Sequence, residues 1–236
     1  MTQRMIKWPS IEQFRNVIRN VQHKARYKGK DENGEAIFDP HVKLPMLDFV
    51  GTVKLHGTNA SVASPLSSIT GENLWVQSRE NIITPQKDNA GFAMFVESVK
   101  DDFADLLLTA SLINHTCADC YQDIVVYGEW CGKGIQSGVG ISELPKMFVI
   151  FGIAKVDAEG NKLYLTQREV KDTVDGCREY VKKPGEEGKI FCIWDFPTYN
   201  AVVDFERPEL TQNRFNEVTL AVEEECPVAK AFGVSG

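Results

Sequence analysis

Short runs rich in Val, Ile, Phe and Trp, each bounded by Ser, Gly, Asn or Asp, most restrict the architectures open to this chain. Read in order, "LDFVGTVKLHG", "ASVASP", "NLWVQSR", "DIVVYGEW", "KMFVIFGIAKV", "GKIFCIWDF" and "NAVVDF" have strand character. Ser10 with Gln13 three residues on is a capping-box pattern. Ile11, Phe14, Ile18 and Val21 then recur at helical spacing and predict a helix from about Ile11 to His23. Phe92, Phe95, Val99, Phe103, Leu106 and Leu107 predict another between Gly91 and Leu112, and "LTQREVKDTVDGCREYV" and "NRFNEVTLAVEEECPVAKAF" read as two more. The polar "KGKDENGEAIFDP" and the glycine-rich "CGKGIQSGVGISELP" read as loops. Strands punctuated by helices without strict alternation favour α+β over a doubly wound parallel sheet.

No apolar run approaches bilayer length, and the opening "MTQRMIKWPSIEQF" lacks the apolar centre of a signal peptide. A cytoplasmic location is therefore expected, with the six scattered cysteines reduced. A net charge of −7 argues against a surface basic throughout, as wholesale phosphate binding would require. The charge is nevertheless polarised. Arg4, Lys7, Arg15, Arg19, Lys24, Arg26, Lys28 and Lys30 stand against Glu12 alone, whereas the stretch from Asp204 to Glu225 is heavily acidic. Taken by itself, the basic stretch reads equally as a solvated helix face or as a phosphate-contacting one.

One lysine stands inside an apolar run, in "FVGTVKLHGTNAS". Strand alternation sets Val50, Thr52 and Lys54 on one face and Phe49, Gly51, Val53 and Leu55 on the other. A lysine partly desolvated on a sheet has its charged form disfavoured and becomes a usable nucleophile near neutral pH. Considered alone, such a residue is more often an edge-strand lysine that snorkels to water.

Its company changes that reading. "KLHGTN", "QSREN", "YGEWCGKGIQ" and "FVIFGI" occur in this order, and together they resemble the covalent nucleotidyltransferases, specifically ATP-dependent RNA ligases of the bacteriophage T4 RNA ligase 2 type. The resemblance implies an adenylylation domain with antiparallel sheets flanked by helices. It would span residues 1–236 as a helix and loop (1–45), a nucleotide-binding core (46–156) and a C-terminal part (157–236). It implies that Lys54 attacks the α-phosphorus of ATP. His56, Gly57, Thr58 and Asn59 would lie around the phosphates, with Mg2+ as the cation and no dedicated set of metal-ligating side chains. Arg79 would lie near the ribose and phosphate, Glu129 would accept hydrogen bonds from the ribose hydroxyls, and Phe151 would stack on adenine. The implied partner is RNA with 5′-phosphate and 3′-hydroxyl ends, sealed by a monomer.

The chain departs from that pattern in places. Val53 precedes the lysine where the T4 type has glutamate, and Gly152 follows Phe151 where aspartate is common. The later Glu-Gly and Lys-x-Lys motifs are not found. Glu187-Gly188, in "PGEEGKIFCIW", reads as a turn entering a strand, and "VEEECPVAKAFGVSG" looks like the segment preceding the Glu-Gly motif. The expectation is a chain that stops just short of it, with poor or absent ligation. Losing single charge-stabilising groups in such sites costs on the order of 10^2 to 10^3 in rate.

Three alternatives stay open. A nucleotide- or RNA-binding fragment would keep the lysine and lose the chemistry. A capping-type enzyme would use GTP, although "HGTN" favours the ligase over the Asp-Gly form. His115, Cys117 and Cys120, with Cys131 further on, offer zinc-ligand types, but one Cys-x-x-Cys without a second pair is a weak pattern.

Overall fold

A computed structural model describes residues 3–88, 90–113 and 120–234. The chain folds as two compact units. The first holds Met1–Trp8, Thr52–Pro197 and Glu225–Gly236, and the second Pro9–Gly51 and Thr198–Glu224.

The first unit is built on an eight-stranded sheet. Its centre is the long antiparallel pair β7 (Tyr121–Cys131) and β8 (Met147–Asp157). On β7 lies β4 (Gly57–Pro65), followed outward by β5 (Trp75–Ser78) and β6 (Ile82–Ile83), all antiparallel. Beyond β8 lie β9 (Lys162–Tyr164), β10 (Val181–Lys182) and β11 (Ile190–Cys192).

Alternation along these strands makes two apolar faces. Ala60, Val62, Val126, Trp130, Phe148 and Ile150 carry the larger core. Three helices cover it: α2 (Phe92–Ser98), α3 (Lys100–Ser111) and α4 (Gln167–Asp175). Ala63, Trp75, Val125, Tyr127, Ala154 and Val156 line the opposite face, where Ile6 and Trp8 of the N-terminal segment pack on them.

The expected all-antiparallel sheet is corrected at one edge, where β11 runs parallel to both β8 and β10. After the antiparallel β8–β9 pair the chain crosses through α4, so β10 and β11 enter in the direction of β8. Helix α4 starts on a complete capping box. The Thr166 N–H donates to Glu169 Oε2 at 2.7 Å, and the Glu169 N–H to Thr166 Oγ1 at 3.3 Å. The predicted helix between Gly91 and Leu112 is two helices, broken at Val99. Lys155, buried on β8, donates to the carbonyls of Ser111 and Ile113 at 2.8 and 2.6 Å and so satisfies the end of α3. Glu187 and Gly188 lie in the connection entering β11, as the sequence suggests.

In the second unit, α1 (Phe14–Arg26) lays Phe14, Val17, Ile18, Val21 and Ala25 on Leu44, Val203 and Phe205. The unit also contains α5 (Pro208–Glu224) and a two-stranded sheet of β3 (Met46–Thr52) with β12 (Thr198–Asp204). The Ser10/Gln13 capping box does not form. Gln13 is the N-cap without a side-chain bond, and Ile11 is 90% exposed because the buried stripe begins only at Phe14. The stretch read as a polar loop contains a hairpin, β1 (Tyr27–Lys30) with β2 (Ala36–Phe38). Asp31 Oδ1 accepts from the N–H groups of Asn33 and Glu35, and Gly34 at φ +84° completes the turn. A short helix, α6 (Pro227–Ala231), closes the first unit. Among the described residues no helix is long and apolar enough to cross a membrane.

Candidate active site

Lys54 does not lie on a strand. Residues 53–56 form an irregular segment between β3 and β4. The alternation expected of a strand persists there without a ladder: Val53 and Leu55 are buried, Lys54 and His56 exposed. Lys54 and His56 therefore share the outward side of an extended segment anchored by its apolar neighbours. Lys54 is open to water, so the partial burial inferred from a strand position is absent.

The ladder starts at Gly57. Its N–H donates to Glu129 Oε1 at 3.0 Å, and Glu129 stands opposite Asn59 in the β4–β7 register. A Cβ at Gly57 would lie 2.4 Å from the Trp130 carbonyl oxygen and 2.7 Å from Cys131 Cβ. Glycine is thus demanded by the closeness of β7, a reason independent of any nucleotide. Thr58 pairs with Trp130 and alternates to the opposite face from Asn59 and Glu129, so the structure does not gather all four residues of "HGTN" on one surface.

Glu129 is half-buried, and burial pushes its carboxyl above the usual range. The Gly57 N–H and the positive charges of Lys54 and Arg79 oppose that rise. This electrostatic link joins three sequence-predicted residues from different parts of the chain: Lys54 before β4, Arg79 after β5 and Glu129 on β7. Arg79 is 72% exposed and lies 3.8 Å from Glu80, which also pairs with Lys7.

Phe151 occupies a β-bulge. Tyr127 faces Gly152 and Gly128 faces Ile150, leaving Phe151 as the extra residue of β8. Its half-buried ring packs on the same sheet face as Tyr127 and meets Trp8 edge-on, with centroids 5.1 Å apart and planes at 72°. Trp8 also contacts Tyr127 and Tyr164 at 5.0 and 5.1 Å. A Cβ at Gly152 would lie 2.5 Å from the Trp8 ring. The indole thus fills the space that an aspartate at that position would need.

Trp8 was not among the residues the sequence singled out, and neither were the groups that hold its segment in place. The fully buried Gln77 accepts from the Ile6 N–H at 2.7 Å and donates to Ser61 Oγ at 3.1 Å. Trp75 Nε1 donates to the Arg4 carbonyl at 3.1 Å. The available signal is slight: Ile6 and Trp8 alternate just before Pro9.

A surface hollow lined by Pro65, Asn73, Trp75 and Asp123 lies at the other end of β4 and contains none of these site residues. Among the described residues no three His, Cys, Asp or Glu side chains cluster to hold a metal ion. Of the zinc alternative, His115 and Cys117 lie outside the described residues, and Cys131 is buried with its thiol pushed up by desolvation.

A model of the RNA ligase family matches residues 47–222, a span that contains Lys54, Arg79, Glu129 and Phe151. No curated protein matches the chain.

Proposed function

From the premise that this chain belongs to the RNA ligase family, we propose that it is an ATP-dependent ligase of the T4 RNA ligase 2 type, working through a lysyl-AMP on Lys54. The observation that carries this reading is the 3.0 Å bond from the Gly57 N–H to the half-buried Glu129, which ties the lysine-bearing segment to that acid, with the charges of Lys54 and Arg79 acting on the same carboxyl. A nucleotide seated there would have an acceptor for its ribose hydroxyls, a guanidinium for its phosphates and a nucleophile at its α-phosphorus.

In the first step the Lys54 amine, having lost a proton to water, forms a P–N bond as the α–β P–O bond breaks and pyrophosphate leaves. An oxygen of the RNA 5′-phosphate then displaces lysine, giving a 5′–5′ pyrophosphate linkage to AMP. Finally a 3′-hydroxyl attacks the RNA 5′-phosphorus, loses its proton and expels AMP. The protein mainly positions groups and neutralises charge. His56 shares the outward side of Lys54, and Asn59 stands beside Glu129. Phe151, braced by Trp8, is the ring assigned to adenine.

Mg2+ suits this donor set. Asn59 would offer it an amide oxygen, and a bound Mg2+ would keep part of its water shell. When bound, it neutralises charge on the triphosphate.

The test is the intact mass of the chain after incubation with ATP and Mg2+, beside Lys54→Ala. The expected result is a gain of one AMP in the parent chain and none in the variant. A parent chain that binds ATP and gains no mass would overturn the covalent reading in favour of a nucleotide-binding role.

A further inference from the structure

Helix α1 contains Arg15, Arg19, His23, Lys24 and Arg26 and no acidic residue, within a chain of net charge −7. Its apolar stripe is committed to the second unit's core, which leaves Arg15, Arg19 and His23, spaced four apart, on an exposed face. Arg26 is paired with Glu206 at 3.5 Å and Lys28 with Asp39 at 3.8 Å. Arg15, Arg19 and Lys24 form no ion pair among the described residues.

The same exposed face continues through His23 into partly exposed aromatic rings. His23 stacks on Tyr27 with centroids 5.8 Å apart and planes at 10°, and meets Phe38 edge-on at 4.9 Å. Tyr27 and Phe38 are paired at the base of the β1–β2 hairpin and remain 41% and 43% exposed. The hairpin's acids, Asp31, Glu32 and Glu35, lie at its turn, away from that base. Cations without ion-pair partners followed by partly exposed aromatic rings match the chemistry of a strand with phosphates and unstacked bases.

We propose that the outer face of α1 and the base of the β1–β2 hairpin bind a single-stranded segment of RNA, with phosphates on Arg15 and Arg19 and a base against Tyr27 or Phe38. This inference rests on the family's RNA substrate, yet it concerns a surface that carries none of the adenylylation residues.

The experiment is fluorescence anisotropy of the intact chain with a labelled oligouridylate across a salt series. It compares the parent with Arg15→Glu/Arg19→Glu and with Tyr27→Ala/Phe38→Ala, each checked for an unchanged melting temperature. The arginine pair should lose on the order of tenfold in affinity and reduce the log–log salt slope by about 1.4. The aromatic pair should lose on the order of five- to tenfold with the slope unchanged. If the aromatic variant fails to fold, Phe38→Leu, which keeps bulk and removes the ring, should show the same loss. Binding equal to the parent's in the variants would overturn the proposal. So would an arginine effect without an aromatic one, with polyphosphate competing as well as RNA, which would mark a general anion surface. The AMP mass gain is measured on the same samples. A parent chain that binds RNA through these residues and gains no AMP would refute the lysyl-AMP reading and leave this one standing.

Discussion

The Gly57 N–H and the Glu129 side chain are joined at 3.0 Å between β4 and β7, and this bond ties the start of the lysine-bearing motif to an acid whose charge the fold disfavours. Burial raises the Glu129 carboxyl above its reference value of 4.5, against the pull of Gly57, Lys54 and Arg79. A carboxyl with a raised pKa binds more protons folded than unfolded. Its penalty is absent below the unfolded pKa, grows as pH rises through the folded one, and is complete above it.

Glu129→Gln should therefore stabilise the nucleotide-free protein at pH 7 by about 0.5–2 kcal/mol, since glutamine keeps an oxygen to accept from Gly57 and removes the buried charge. The gain should vanish below about pH 4, where both chains are neutral at this position. Urea melts across pH check it, and an equal gain at every pH would show that the charge is not the cause. The AMP mass gain should fall in the same variant, because glutamine's NH2 group cannot accept from a ribose hydroxyl.

The Trp8 ring lies where a Cβ on Gly152 would come within 2.5 Å, so Gly152→Ala should cost about 1–3 kcal/mol by overpacking. The same change in a Trp8→Ala background should cost little, giving a coupling of nearly the whole single-mutant effect. A double-mutant cycle in denaturant measures it, and additive costs would mean that the indole does not occupy that space.

Much of this architecture was legible in the sequence, for identifiable reasons. Strands β4, β7 and β8 carry runs long enough to show their period, and β7 and β8 are buried almost throughout. Strands β10 and β11 have two and three residues, too few to reveal a period or a direction, so the parallel edge was invisible. Two capping boxes look alike on paper. Thr166/Glu169 forms because Val170 and Val174 follow it into the core, whereas the apolar stripe behind Ser10/Gln13 starts too late. Val53-Lys54-Leu55-His56 shows why alternation alone misleads: its burial pattern is that of a strand, yet no neighbour pairs with it. Motif order pointed to Arg79 and Glu129, but the place of Trp8 depends on contacts with residues more than a hundred positions away.

Lys155 offers a test of the sheet's support. Its ammonium is buried, which lowers its pKa through desolvation, and it satisfies two carbonyls at the end of α3. Lys155→Met relieves the desolvation but leaves both carbonyls without that donor, a cost of about 1–3 kcal/mol each that outweighs the relief. Net destabilisation of about 1–3 kcal/mol is expected. Because the unfolded lysine binds more protons than the folded one between the two pKa values, stability of the parent rises with pH through that window. The gap to the methionine variant should widen toward the reference value of 10.5. A gap that narrows with rising pH would contradict the burial argument.

Tyr127 is fully buried on the same face as Glu129 and Phe151, and its hydroxyl has no hydrogen-bond partner among the described residues. Burial pushes its ionisation far above the ordinary range, so at neutral pH it is a desolvated neutral O–H that gains nothing in return. An unsatisfied buried hydroxyl costs about 1–3 kcal/mol, whereas the ring itself contributes packing against Trp8 at 5.0 Å. Tyr127→Phe removes only the first of these. It should leave stability unchanged or raise it by about 1 kcal/mol, while Tyr127→Ala should lose about 3–5 kcal/mol for the vanished ring. If Tyr127→Phe instead destabilises the protein by 1 kcal/mol or more, the hydroxyl has a partner, most simply an ordered water shared with the adjoining site. Comparing the two variants by denaturant unfolding, with and without ATP, separates a hydroxyl that is tolerated for the sake of the ring from one that the bound nucleotide uses.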